Sequence, residues 1–147
     1  MKTLFTICGL VLAMSATQAA DQKSFKPMTV KALAKAMTTA KMKKPSMVAH
    51  VKSKAVAVYD ANNDDTREKF GIIPGATLLT SSKDYDTEKV LPAEKDTKLV
   101  FYCANKQCTA SHAAAERATN AGYNDVNVLS DGIMGWKKAG QPVAKMN

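Results

Sequence analysis

The chain has 147 residues, a formal charge of 21 − 13 = +8, 46% hydrophobic and 23% charged residues, seven glycines, five prolines and three cysteines. Length and apolar content together allow one small globular domain and exclude both a disordered chain and a large multidomain enzyme. Three cysteines are too few to staple a miniprotein, and no apolar run reaches the roughly 18 residues of a resident membrane helix.

The N-terminus has the layout of a secretory signal. Lys2 precedes an apolar run from Leu4 to Met14, and small and polar residues follow as far as Ala19 and Ala20. The run is well short of the roughly 20 residues that span hydrocarbon, so cleavage is expected after Ala19 or Ala20, with residues 1–20 as the signal peptide. The mature protein is then periplasmic or secreted, with no membrane association. Cys8 leaves with the signal, which leaves Cys103 and Cys108 as two thiols in an oxidising compartment and a charge of 20 − 13 = +7. The positive charge is scattered from Lys23 to Lys54, with arginine only at Arg67 and Arg117 and few aromatics to stack bases. This pattern argues against a nucleic-acid partner and for attraction of small anions.

Residues 21–27 form a polar lead-in, and a domain over 28–147 follows. Thr29 can cap a helix in which Val30, Leu33, Ala34 and Met37 recur at spacings of three and four. Lys41 to Ser53, broken by Pro45, has no clear period. Ala55 to Tyr59 is a continuous apolar run of the kind found in a central parallel strand, and it ends at Asp60. Asp64 or Asp65 can cap a short helix through Phe70, after which Pro74-Gly75 turns the chain into a strand over Ala76 to Thr80. Lys98 to Cys103 is the clearest strand. A helix from Thr109 to Asn120 with Gly122 beyond it, a strand from Val126 to Leu129 and a helical turn over Met134 to Ala139 complete the series. Strands alternating with helices give an α/β fold with a mostly parallel sheet flanked on both faces.

The alanines of the helix after Cys108 let it lie close on the sheet, with its N-terminus above the end of the Lys98–Cys103 strand. Ligand crevices of α/β sheets open at such strand ends, and that is where Cys103 falls. Backbone N–H groups of the following loop can curl around an anion, and a helix N-terminus with Lys106 nearby favours a thiolate at Cys103. Cys108 is a candidate disulfide or resolving partner, with a small packing residue as the alternative. The spacing of Cys103, Cys108 and His112 offers three ligands without a fourth, so no metal is expected. Asp60 is expected to fix its loop by hydrogen bonds, His112 to lie on the exposed side of its helix, and Trp136 and the methionines Met28, Met37, Met42, Met47 and Met134 to fill the core. His50 lies in the unassigned segment.

Three separated motifs, in order, resemble the rhodanese-like domains, a group of sulfurtransferases, over Met28 to Val143. The first is VYDANNDDTREKFGIIPGATLL, with its strand-ending Asp60 and the turn Ile73-Pro74-Gly75-Ala76. The second is the strand, loop and helix of LVFYCANKQCTASHAAAERATNAGYNDVNVL. The third is LSDGIMGWKKAGQPV, with Gly132, Trp136, Gly140 and Pro142. The resemblance implies that Cys103 takes a sulfane sulfur from a small anionic donor such as thiosulfate or polysulfide, becomes a persulfide, and passes the sulfur to a thiol or cyanide-like acceptor without a cofactor. By the same resemblance Ala104, Asn105, Lys106, Gln107, Cys108 and Thr109 cradle the bound sulfur, with Thr109 anchoring the loop to the helix. Two positions depart from the common pattern, which has Arg where Cys108 and Asn62 stand. Loss of the loop guanidinium counts against the phosphatase and arsenate-reductase relatives, whose oxyanion substrates want a bidentate Arg. The competing classes are a redox-active Cys103/Cys108 dithiol protein and a binding module without turnover.

Overall fold

Five parallel strands in the order β1-β5-β4-β2-β3 form the sheet of this computed structural model, which describes residues 24–42 and 56–146. The strands are β1 (Lys26–Met28), β2 (Val56–Asp60), β3 (Thr77–Leu78), β4 (Lys98–Tyr102) and β5 (Val126–Leu129). The helices are α1 (Val30–Met42), α2 (Asp64–Phe70), α3 (Thr87–Val90), α4 (Ala110–Asn120) and α5 (Gly132–Lys138). This is the expected α/β architecture. Among the described residues no helix is long and apolar enough to cross a membrane. The proposed signal peptide, His50, Met47 and the unassigned stretch from residue 43 to 53 lie outside the described residues.

β2, β4 and β5 lie inside the sheet, so both faces of each strand need an apolar cover. On one face Tyr59, Leu99, Phe101 and Val128 pack against Ala114, Ala115 and Ala118 of α4. The small side chains of α4 bring its backbone close to the sheet, as the run of alanines predicts. On the other face Val58, Val100, Tyr102 and Leu129 meet Val30 and Leu33 of α1 and Ile133 and Trp136 of α5. Each fully buried large side chain contributes about 1.5–3 kcal/mol of transfer free energy, so the alternation along three short strands accounts for the fold.

Local signals explain most element ends. The Thr29 hydroxyl accepts a hydrogen bond from Ala32 N–H at 3.3 Å, as an N-cap should. The cap of α2 is one residue earlier than expected: Asn63 accepts from Thr66 N–H at 3.1 Å, and Asp64 and Asp65 place their charges in the first turn. The Pro74-Gly75 turn closes with Ala76 N–H donating to the Ile73 carbonyl at 3.0 Å, and Gly75 supplies the φ of +82°. Two boundaries move outward. β1 takes in Lys26 and Pro27, assigned above to the lead-in, because they pair with Asn127 and Val128 of β5. α5 begins at Gly132, two residues before Met134. Met134 is 42% exposed and so is no core filler, whereas Trp136 is buried and donates Nε1–H to the Pro142 carbonyl at 2.7 Å.

At the carboxyl ends of β2 and β4 a polar cluster ties the two strands together. Asp60, fully buried, accepts from Asn62 N–H at 2.7 Å and from the Tyr102 hydroxyl at 2.5 Å, and lies 3.5 Å from Arg67 Nε. Tyr102 in turn accepts from Ile73 N–H at 3.0 Å. Arg67 Nη2 donates to the carbonyls of Asp60 and Leu79 at 3.1 and 2.8 Å. The expectation that Asp60 fixes its loop is met. Replacing Tyr102 by Phe strands one buried carboxylate oxygen and one N–H at once. A loss of about 1–3 kcal/mol is expected, read as a lower urea midpoint with an unchanged m-value.

Candidate functional site

Chain order carries β2 outward to β3 and then back across to β4 and β5, so the sheet changes direction between β2 and β4. A crevice must open above the carboxyl ends of these two strands. Asn62 and Asn63 leave β2 on one side of it, and Cys103 to Thr109 leave β4 on the other.

The loop after Cys103 is held by the start of α5. Ile133 N–H donates to the Cys103 carbonyl at 2.9 Å and Met134 N–H to the Ala104 carbonyl at 3.1 Å. This approach is possible because residue 132 is glycine. Its φ is +60°, and a Cβ there would stand 2.5 Å from the Cys103 oxygen and 2.6 Å from the Ala104 carbonyl carbon. Within the loop Cys108 N–H bonds back to the Asn105 carbonyl at 3.2 Å, and Gln107 N–H bonds to Asn105 Oδ1 at 3.0 Å.

Cys103 is 1% exposed, and Cys108 is half-buried; both are free thiols. The Cys103 sulfur lies 3.1 Å from the Cys108 carbonyl oxygen and 3.1 Å from the Ser111 hydroxyl. A carbonyl oxygen accepts from S–H and repels a thiolate, so this geometry holds Cys103 protonated. Burial, reinforced by the hydrogen bond with Cys108 and opposed by Ser111, pushes the Cys103 thiol up to about 11. The expected low thiol pKa at Cys103 is therefore corrected. The reason lies in the neighbours. Lys106 is turned away, with Nζ 3.2 Å from Asp131 Oδ1 and its side chain 75% exposed, and the Thr109 side chain makes no cap hydrogen bond to α4.

The loop's donors reach the other sulfur. Burial opposes ionisation of Cys108, but hydrogen bonds from Cys103 and from the backbone N–H groups of Ala104 and Ala110 outweigh it and lower the thiol below its ordinary value. Beside it lies an open cleft of about 500 Å³ lined by Ala61, Asn62, Asn63, Thr66, Leu79, Thr80, Ser81, Ser82, Ala104, Cys108 and Ala110. Of the loop residues assigned to the cradle, Ala104 and Cys108 line this cleft. Asn105 is engaged with Gln107 and with the Met134 sulfur at 3.6 Å, and Lys106, Gln107 and Thr109 are exposed. A larger cavity of about 600 Å³ on the opposite face, between Met37, Val56 and Trp136, has no titratable side chain among its described lining residues.

The sequence reading missed Ser111 and the cleft's hydroxyl rim. Ser111 had a signal: it is a polar residue at the start of a helix whose packed face is otherwise alanine. Thr66, Ser81 and Ser82 had none, because only the fold brings them to Cys108. His112 lies on the exposed side of α4, as expected, 5.3 Å edge-to-face from Phe25. Among the described residues no His, Cys, Asp and Glu group is placed to hold a metal.

The Gly132 contact gives a direct test. Gly132→Ala must push α5 off the Cys103 and Ala104 carbonyls, so a loss of at least about 1–3 kcal/mol is expected in thermal or urea unfolding. Faster alkylation of Cys103 should accompany it, read by peptide mass.

Comparison with known proteins agrees with this architecture. The chain aligns by structure with a rhodanese-related protein from Thermoplasma volcanium at 24% identity and a TM-score of 0.59, covering 83% of this chain and 100% of that one. A rhodanese-like domain from Anabaena sp. aligns at 20% identity and 0.58, over 84% and 81%. A Rhodopseudomonas palustris protein of unknown function, described as a possible tyrosine phosphatase, aligns at 21% and 0.59, over 82% and 85%. These likenesses speak for the fold. The comparison with curated proteins gave no match. The family model of the rhodanese-like domain matches residues 44–139, well over half of the chain, and spans β2 to α5 with both cysteines. The protein is a member of the rhodanese-like domain family.

Proposed function

We propose that the protein is a sulfurtransferase that carries a sulfane sulfur as a persulfide on Cys103. The observation that supports it best is the placement of Cys103 at the end of β4, with its sulfur 3.1 Å from the carbonyl of Cys108, a second free cysteine that lines an open cleft. In the first half-reaction a cysteine sulfur of the site attacks the outer sulfur of the donor, and that sulfur comes to rest on Cys103. The donor's S–S bond breaks, and sulfite leaves if the donor is thiosulfate. The Cys103 proton, held between the Cys108 carbonyl at 3.1 Å and the Ser111 hydroxyl at 3.1 Å, is lost as the new S–S bond forms. In the second half-reaction an acceptor thiol or cyanide attacks the outer persulfide sulfur and Cys103 departs as the leaving group. No metal or cofactor enters the reaction. The signal-like N-terminus supports placing this chemistry in the periplasm or outside the cell.

A phosphatase reading lacks a free arginine for the ester. The chain's two arginines are both engaged elsewhere: Arg67 is buried on Asp60, Asp64 and Leu79, and Arg117 donates to the Tyr85 carbonyl at 2.7 Å. The nearness of the two free cysteines, with the Cys103 sulfur 3.1 Å from the Cys108 carbonyl, favours one second reading, a dithiol that cycles through a Cys103–Cys108 disulfide.

Intact mass distinguishes the two. Reduced protein treated with thiosulfate or polysulfide should gain about 32 Da on Cys103, and cyanide should remove it as thiocyanate. Cys103→Ala should lower thiocyanate formation on the order of 10³-fold or more. A mass that falls by two hydrogens on mild oxidation, with no sulfur adduct from either donor, would replace sulfur transfer by the dithiol cycle.

A further inference from the structure

The two sulfurs of the site are unequal in a way that the persulfide reading does not use. Cys108 lines the cleft, whereas the Cys103 sulfur is buried behind it and absorbed in bonds to the Cys108 carbonyl and Ser111. A second group in the same cleft is unsatisfied. Asn62 is 8% exposed, and its side-chain Nδ2 is buried without a hydrogen-bond partner among the described residues. A buried amide donor with nothing to donate to costs about 1–3 kcal/mol, and a ligand whose acceptor reaches it from the cleft that Asn62 lines would recover it. The Asn62 backbone is pinned by its N–H bond to Asp60 Oδ1 at 2.7 Å, which fixes the start of the loop that forms this wall of the cleft.

The cleft also limits what can bind. Its lining is hydroxyl, amide, thiol and aliphatic, with no Lys or Arg among the described residues. A dianion such as thiosulfate would shed water there without meeting a fixed cation. A persulfide of a small thiol spreads less charge over more polar and aliphatic surface, and it offers carbonyl or carboxylate oxygens to Asn62, Thr66 and Ser81. The volume, about 500 Å³, is within the roughly 300–1,000 Å³ of small-molecule sites.

We propose that Cys108, with Asn62 as the donor-binding amide, is the sulfur that first meets the substrate, that the substrate is a small-thiol persulfide, and that Cys108 then hands the sulfur to Cys103. The inference rests on the persulfide reading above and assigns its first step. The Cys108 sulfur attacks the outer sulfur of R–S–SH, the S–S bond breaks, and the small thiol leaves as R–S⁻, to be protonated by water. Cys103 then attacks the outer sulfur of the Cys108 persulfide. The Cys108 sulfur leaves as a thiolate, and the proton that Cys103 gives up, held until then between the Cys108 carbonyl and Ser111, restores it to the thiol. Each step breaks one S–S bond and forms one, so no oxidant or reductant is consumed. The lowered thiol pKa of Cys108 and the raised one of Cys103 agree with this order of attack.

The test uses cysteine persulfide as the probe, with thiosulfate for comparison. Cys103→Ala should still gain one sulfur, on the Cys108 peptide. Cys108→Ser should load Cys103 at least about 10-fold more slowly than the wild type. Asn62→Ala should raise the half-saturating concentration of cysteine persulfide by about 10-fold, or 1.4 kcal/mol, while leaving the rate of Cys108 alkylation by iodoacetamide unchanged. In the unaltered protein, sub-stoichiometric iodoacetamide should label Cys108 before Cys103, a readout that does not depend on any variant folding. Cys103 labelled first, or Cys108→Ser loading at the wild-type rate, overturns the relay and leaves sulfur transfer by Cys103 standing. A wild-type protein that takes sulfur from no donor overturns the persulfide reading itself, and the relay with it.

Discussion

A carboxylate with no exposure to water, Asp60, is the constraint from which the site follows. An unpaired charge there would be intolerable, so each of its neighbours is fixed by the need to satisfy it. Tyr102 joins it from β4, Arg67 from α2 and the Asn62 N–H from the loop leaving β2. The same Arg67 reaches the Leu79 carbonyl beyond β3, and the same Tyr102 receives Ile73 N–H ahead of the turn into β3. One buried charge thereby sets the relative positions of the segments leaving β2 and β4 and those flanking β3. The cleft beside Cys108 is what remains between them.

The second constraint is the use made of α5. The N-terminus of a helix commonly offers its N–H groups to an anion. Here the first of them are spent on the carbonyls of Cys103 and Ala104. That positions the loop and takes two donors at the start of α5 away from any ligand. The N–H groups of Ala104, in the loop, and Ala110, at the start of α4, favour negative charge at Cys108 instead. The division between a protonated inner sulfur and an ionisable outer one is a consequence of backbone geometry more than of nearby side-chain charge, since Lys106 is occupied by Asp131.

Much of the fold was legible because its signals are local. The apolar runs of β2, β4 and β5, the alanines of α4, the Thr29 cap and the Pro74-Gly75 turn each declare themselves within a few residues. The ends were harder. β1 is three residues containing a proline, with an apolar signal only at Met28; it is a strand because β5 has a free side. The position of Cys103 was equally plain, yet its ionisation was misjudged. Strand-end and helix-start arguments locate the sulfur but do not say which way it points, and the difference between a carbonyl and an N–H at 3 Å reverses the sign of the effect. Asn62 and Ser81 are 19 positions apart and meet only through the β2–β3 pairing, which no local pattern encodes.

The margins of the sheet bear on how the protein behaves in a concentrated mixture. Its outer strands are β1, with Lys26 and Pro27 in a three-residue span, and β3, with two residues. An unfinished hydrogen-bond ladder of that length, interrupted by a charge and by a residue without an N–H, gives another chain little to extend. The apolar strands that would readily form intermolecular sheets, β2, β4 and β5, are all interior. Among the described residues, strand order alone thus leaves little edge for a second chain to pair with.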